Sequence, residues 1–382
     1  MKHNRKIIYL ASFLFSLPVA LTTYINSSFL EIHTNTNYVA IIYIISSLTT
    51  IIGLFKMPRV LTHFGNRRTS LSLSTIIFLS LIFLAFGGKG FIVIPAFIIY
   101  FVATNFLVMS LDIFIENFSE NFSIGKFRGL YLMIVNSAWI VAQIISGSII
   151  TKSSYLGIYL FSAGFMILVS IIFIIFLHDF KDPRYKKVPI LKTLKIFMEN
   201  KNISKIYFIN FVLKFFFAWM IIYTPIYLHE YIGFGWDQIG IIFTVMLLPF
   251  VILEFPLGKL SDKMGEKKML IIGFLISILA TMAIPFISVP KLWLYALILF
   301  LTRIGAATIE VMSESYFFKM VNEENADTIS FFRNTGPLSF IIAPLLAIPV
   351  LLFIPYFEYL FFVLGAVMLC GFLISLRLRD VK

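Results

Sequence analysis

Two cations, one carboxylate and several amides interrupt stretches of this sequence that are otherwise apolar. Lys214 lies in the run 203–229, Arg303 in 291–312 and Glu254 in 236–257. Ionisable groups are costly in hydrocarbon, so they turn toward protein or a wet cavity. Lys214 falls about 11 residues into its run, or roughly 16 Å along a helix. That depth allows either a snorkelling lysine or one lining a cavity. Arg303 is near the middle of its run, where snorkelling is harder. It is read as a group for substrate or coupling, against an ion pair with an acid on another helix. Glu254 would be partly buried near the end of its run, which suits a proton carrier. Pairing with Lys259 or another nearby cation is the alternative. Asn26, Asn105, Asn136, Trp139, Gln143 and Trp219 add polar or aromatic groups to other apolar runs. Together with Lys214 and Arg303 they are expected to line a central cavity. Fixed cations opposite amides favour an anionic or zwitterionic small solute.

Two acid pairs complete the set. Asp112 and Glu116, and Glu310 and Glu314, are each spaced i, i+4, which places both carboxylates on one helical face. They are expected at helix ends beside basic loops, with opposite charges available from Arg59, Arg67, Arg68, Lys263, Lys267 and Lys268.

The elements that must position these groups follow from composition. The chain has 382 residues, 60% hydrophobic and 13% charged, and its mean hydropathy is +0.96. That exceeds what a soluble domain needs. A membrane helix takes about 20 apolar residues. Spans are expected near 7–30, 38–56, 69–87, 91–112, 128–150, 155–178, 203–229, 236–257, 268–288, 291–312, 328–354 and 356–376. Met1 to Lys6 and the apolar residues after them are read as a retained first span, since no small-residue cleavage site follows. The net charge of +12 would suggest nucleic acid in a soluble protein. Here the bases sit between apolar runs, and topology accounts for them. With both termini cytoplasmic, roughly 25 of the 31 Lys and Arg lie inside, and the outer loops hold only Lys89, Lys152 and Lys291. Residues 179–202 form a basic linker suited to an anionic leaflet.

The halves repeat. Glu254 to Lys268 contains Gly-x-Leu-Ser-Asp-Lys-x-Gly-x-Lys-Lys, built on Gly258, Leu260, Ser261, Asp262, Lys263, Gly265, Lys267 and Lys268. It is read as a short polar loop between two apolar runs. A weaker copy, Pro58 to Arg68, lies 200 residues upstream, with Gly65 matching Gly265. This pattern resembles the signature loop of the major facilitator superfamily, which joins helices 8 and 9 and, in a second copy, helices 2 and 3. The resemblance implies two parallel six-helix repeats joined by a cytoplasmic linker. It implies that helices 3, 6, 9 and 12 face lipid. It further implies that Asp112, Glu116, Glu310 and Glu314 pair with the loop bases as gates that hold the inner side shut. The first copy departs from the pattern, with Pro58 for the first Gly and Thr62 for the Asp.

No phosphate-cradling Gly-rich Lys motif, nucleophile elbow or metal-ligand spacing occurs, and the five histidines are scattered. The single Cys370 excludes a disulfide within the chain. The expected fold is therefore an all-α integral membrane protein with twelve transmembrane helices in two pseudo-symmetric six-helix bundles. Its expected divisions are residues 1–178, a linker 179–202 and residues 203–382. The expected function is secondary active transport of a small solute across the cell membrane by alternating access. No enzyme activity, cofactor, metal or nucleic acid is expected; the partners are the solute, the bilayer and protons, and the unit is a monomer. Proton-coupled efflux of amphiphilic drug-like compounds is the alternative substrate reading. A non-transporting membrane receptor is the alternative of another class.

Overall fold

The computed structural model describes residues 2–23, 25–34, 36–118, 124–177, 182, 199–287, 289–321, 326–353 and 356–379. Among them there are helices and no strands. Twelve described stretches are long and apolar enough to cross a membrane. They are Lys6–Thr23, Ile41–Phe64, Asn66–Phe86, Gly90–Asn117, Phe127–Ser146, Lys152–Ile175, Lys201–Ile226, Gln238–Ser261, Glu266–Phe286, Leu292–Met320, Thr328–Leu351 and Tyr359–Leu376, numbered here as spans 1 to 12.

The order agrees with the sequence, but several ends do not. The helices carrying spans 2, 4, 8 and 10 are Thr36–Phe64, Gly90–Phe118, Trp236–Met264 and Leu292–Met320, each 29 residues long. At about 1.5 Å per residue each is roughly 43 Å long, well beyond a hydrocarbon core of about 30 Å. Polar segments expected as loops are therefore helical. Most of Glu254 to Lys268 is helix, interrupted at Gly265. Gly65 does the same between Phe64 and Asn66. Gly65 and Gly265 have φ of 77° and 81°, which L side chains avoid. The repeat is thus a repeat of two long helices hinged on one glycine.

Two spans are broken. Span 1 ends at Thr23 and a short helix resumes at Asn26–His33, where one continuous helix was expected. Thr22 Oγ1 donates to the Pro18 carbonyl at 3.0 Å and Thr23 Oγ1 to the Val19 carbonyl at 2.6 Å. These hydroxyls compete for carbonyls of the preceding turn. Span 11 breaks at Asn334, between Ala326–Arg333 and Thr335–Phe353. Gly336-Pro337 follows two residues later. Pro337 cannot donate to the Arg333 carbonyl, so the helix restarts just before it, where the missing N–H is harmless. Helices 5 and 6 run as Ile124–Ile175 with a kink at Ser154, φ 54°.

The chain forms two compact units. Unit 1 is Met1–Ser119, Ser137–Leu194 and Val321–Pro337; unit 2 is Glu120–Asn136, Lys195–Met320 and Leu338–Lys382. Relative to the expected halves, residues 120–136 group with the second unit and 321–337 with the first. In unit 1, Ser74 and Ser170 hydroxyls tie spans 3 and 6 at 2.8 Å, and Arg67 donates to the Phe173 and Ile174 carbonyls at 3.2 and 3.0 Å. In unit 2, the Asn200 side chain caps span 7 by accepting from the Asn202 and Ile203 backbone N–H groups. Exposed aromatics such as Phe86, Phe91, Phe286, Trp293 and Tyr356 gather at the turns after spans 3, 9 and 11. That is the placement of an interfacial belt.

Candidate functional site

The site in unit 2 is built on one face of span 7. Asn210, Lys214 and Phe217 recur at i, i+4 and i+7, so they stack along one stripe. Span 10 supplies the facing groups. Lys214 Nζ meets Glu310 Oε1 at 2.8 Å, and Asn210 Nδ2 reaches Ser313 Oγ at 3.4 Å. Arg303, on the same span, is 4% exposed. Its guanidinium lies 4.9 Å from the Phe216 ring centroid and 5.7 Å from that of Phe217. Lys214 Nζ is 5.3 Å from the same Phe217 ring. One aromatic ring therefore lies within 6 Å of two cations. A stripped cation gains from the negative face of such a ring. Phe250 of span 8 meets Phe217 edge-on at 5.9 Å. One turn further along lies Glu254.

Glu254 is 0% exposed. Asn136 Nδ2 donates to its Oε1 at 2.8 Å, while its Oε2 is buried without a hydrogen-bond partner. Glu310, Lys214 and Glu314 all act on it electrostatically. Lys259, the partner weighed from sequence, instead places its Nζ 4.2 Å from the Phe255 ring. Glu254 is thus deeper than expected, because the helix runs ten residues beyond it to Met264. The polypeptide comes close here. A Cβ on Gly129 would collide with the Glu254 carbonyl oxygen and lie 3.0 Å from Gly258 Cα. Gly258, the first glycine of the signature pattern, serves this close helix crossing and not a turn.

The acid pairs are placed differently from the expectation. Asp112, Glu310 and Glu314 are buried inside long helices, more than a turn from their ends, while Glu116 is buried in the last turn of its helix, two residues before Phe118. Arg333 grips Asp112 with a fork, Nε to Oδ2 at 2.5 Å and Nη2 to Oδ1 at 2.9 Å. Arg128 Nη1 lies 4.0 Å from Glu314 Oε2 and its guanidinium 3.3 Å from the Phe318 ring centroid. Glu310 takes Lys214. The partners named for Asp112, Glu310 and Glu314 come from helices. Arg59, Arg68, Lys263 and Lys268 are exposed, and Arg67 is bound to carbonyls. The reason is length: helices that continue past the apolar run carry the acids inward among other helices. Lys267 is half-buried, and the Asp262 side chain lies outside the described residues.

Of the residues expected to bind solute, Asn136, Lys214 and Arg303 belong to the unit 2 cluster. Trp219 does not line a cavity there. It is 0% exposed, in a core column with Phe215 at 5.3 Å and Tyr223 at 5.2 Å. Asn26, Asn105, Trp139 and Gln143 belong to unit 1. Asn26 accepts from Tyr159 Oη at 3.0 Å, and Asn105 donates to the Phe101 carbonyl at 2.9 Å. Trp139 packs on the cluster of Ala20, Leu21, Ile25, Ala142 and Ile158. Gln143 is half-buried. Sequence reasoning missed Arg128 and Phe217. Arg128 had a signal in charge balance: Glu254, Glu310 and Glu314 outnumber Lys214 and Arg303, which favours a third buried cation.

Comparison with known proteins decides the family. The sequence profile of the Major Facilitator Superfamily matches residues 8–237 and 206–382. The chain belongs to the major facilitator superfamily. No curated protein matches it in sequence. Its fold is similar to that of the human organic anion transporter MFSD10 (TETRAN), with a TM-score of 0.79 at 14% identity over 98% of this chain and 99% of the other. It is also similar to a bacterial homologue of the iron transporter ferroportin in the outward-facing state, with a TM-score of 0.78 at 12% identity over 98% of each chain. The same homologue with soaked iron gives 0.77 at 11% identity, again over 98% of each. The chain is a multi-pass membrane protein of a transporter family.

Proposed function

We propose that this member of the major facilitator superfamily is a secondary active transporter, working by alternating access, that moves a small anionic or zwitterionic solute together with a proton held on Glu254. The observation that carries this reading is the charge balance of the unit 2 cluster. Arg128, Lys214 and Arg303 stand against Glu254, Glu310 and Glu314. With all six ionised the cluster is neutral. A proton on Glu254 leaves one positive charge in surroundings of low dielectric. An anion then binds more tightly to the protonated form, and by linkage the anion favours protonation. Loss of the proton reverses both effects. Asn136 suits this task because a neutral amide can donate to the carboxylate or to the carbonyl oxygen of the acid. The Phe217 ring, near both Lys214 and Arg303, offers an apolar seat for the body of the solute. Lys214 would exchange Glu310 for the solute anion, and Arg303 would supply the second contact.

The test uses purified protein in proteoliposomes with an imposed pH gradient. Glu254→Gln abolishes uptake driven by the gradient and spares exchange between internal and external solute. Arg303→Ala lowers uptake of anionic candidates and leaves neutral ones unchanged. Equal uptake of neutral and anionic solutes by both wild type and Arg303→Ala would overturn the charge argument. Gradient-driven uptake that survives Glu254→Gln would remove Glu254 from coupling.

A further inference from the structure

A second charged cluster in unit 2 is separate from the site above. It lies where span 7 begins and span 12 ends. Glu199, Asn200, Lys201, Asn202, Lys205 and Arg379 line a cavity of about 660 Å³. Lys205 is the centre of its electrostatics. Arg379, Lys201, Arg377 and Lys267 all act on it as like charges. Its Nζ donates to the Arg377 carbonyl, and the lining sets three bases, Lys201, Lys205 and Arg379, against the single carboxylate of Glu199. The chain after span 12 is held in place here, since Tyr316 Oη donates to the Arg379 carbonyl at 2.6 Å. The two walls are therefore fixed by different elements, and bases from both meet at one concave surface.

We infer that this cavity is a binding site for a phosphate-bearing anion. Like charges gathered in a concavity raise the local potential and draw a counter-ion. Phosphate oxygens outnumber those of a carboxylate and can be shared among several donors. An Arg fork and two Lys point charges beside side-chain amides make a suitable set. A positive-inside surface alone needs bases spread along loops. Here they converge from the start of one span and the end of another. Two sources of the ligand share this chemistry: an anionic lipid headgroup of the adjoining leaflet and a soluble phosphate compound.

The test needs no transport readout, so its outcome is independent of the carrier reading. Full-length protein is stripped of lipid in detergent. It is then titrated with phosphatidylglycerol in mixed micelles in one arm and with inorganic pyrophosphate in the other. Retained lipid is counted by native mass spectrometry, and the thermal midpoint is followed in both arms. The site variant is Lys201→Gln, Lys205→Gln and Arg379→Gln together. A charge-matched control carries Lys89→Gln, Lys152→Gln and Lys291→Gln, exposed positions outside both the basic linker and the lining of the cavity. The site variant is expected to lose affinity on the order of a hundredfold, about fivefold per cation, while the control keeps it. Stabilisation by phosphatidylglycerol alone identifies a lipid ligand, and stabilisation by pyrophosphate without lipid identifies a soluble one. Equal losses in both triple variants, or binding unchanged in the site variant, would overturn the proposal. Folding is checked by the ligand-free midpoint. Single Arg379→Gln, at an exposed position, serves as a milder variant with the same expected direction.

Discussion

The Asp112–Arg333 pair gives the sharpest test of how this fold is held. The Asp112 side chain is 1% exposed and that of Arg333 14%. Both carboxylate oxygens accept from one guanidinium, at 2.5 and 2.9 Å. Such a pair pays heavily for desolvation, so its net worth against an apolar replacement is small. Removing one partner is another matter, because a charge stays behind in a site built for two. Asp112→Asn or Arg333→Gln alone should each cost about 3–5 kcal/mol, on the order of a hundredfold or more in a folding equilibrium. The double change to Asn and Gln should recover at least half of that loss. Arg333→Lys should fall between, since it keeps the charge and loses the fork. The measurement is a double-mutant cycle on purified protein, with unfolding in denaturant followed by the fluorescence of the four tryptophans. If the two single losses simply add, within about 0.5 kcal/mol, the pair carries no coupling and the reasoning fails.

Three further outcomes follow from local geometry. Gly129→Val should destabilise by about 1–3 kcal/mol or lower the yield of folded protein, because the new side chain meets the backbone of Glu254 and Gly258; an unchanged thermal midpoint would contradict the close crossing. Gly265→Ala should cost roughly 1–3 kcal/mol, since its φ of 81° and ψ of 149° fall in a region essentially restricted to glycine; Gly265→Asn should cost about as much in the same melt, because the tolerance of Asn is for the left-handed helical region and not for this one. Trp219→Phe should lower stability by less than about 3 kcal/mol and leave solute affinity within twofold, because its Nε1–H is buried without a partner and its ring is core; a tenfold loss of affinity in a binding titration would return Trp219 to the site.

The sequence carried the number and order of spans because hydrocarbon demands long apolar helices, and that demand is written locally. Gly65 and Gly265 were readable for the same reason: a reversal in so few residues needs a left-handed backbone. The helix ends were not readable. Hydropathy marks where the oil stops, and helices such as Leu292–Met320 continue well past it. That error moved Glu310 and Glu314 from a helix end to its interior and assigned them to loop bases. Trp219 was misplaced by another ambiguity. An indole in a membrane helix reads alike whether it lines a cavity or packs on Phe215 and Tyr223. Tertiary packing decides, and packing is not local.

The polar contacts also account for where the compact units divide. Residues 120–136 come from the first half of the sequence yet group with unit 2, and they carry Arg128 and Asn136. Those two side chains serve Glu314 and Glu254, both from the second half. Residues 321–337 come from the second half yet group with unit 1, and they carry Arg333, which serves Asp112. Ser330, on the same segment, donates to the Leu54 carbonyl of span 2, and Phe331 packs on Phe55 at 6.0 Å. Each exchanged segment thus brings a buried donor to an acid of the other half. An acid buried in oil without such a donor would cost several kcal/mol. The exchange thus accords with the charges, and neutralising Asp112 and Arg333 together should loosen the hold of residues 326–333 on spans 2 and 4 while leaving the apolar packing of each span intact. Hydrogen exchange restricted to that segment would register the change, and protection equal to wild type would mean that Ser330, Phe331 and their neighbours suffice without the ion pair.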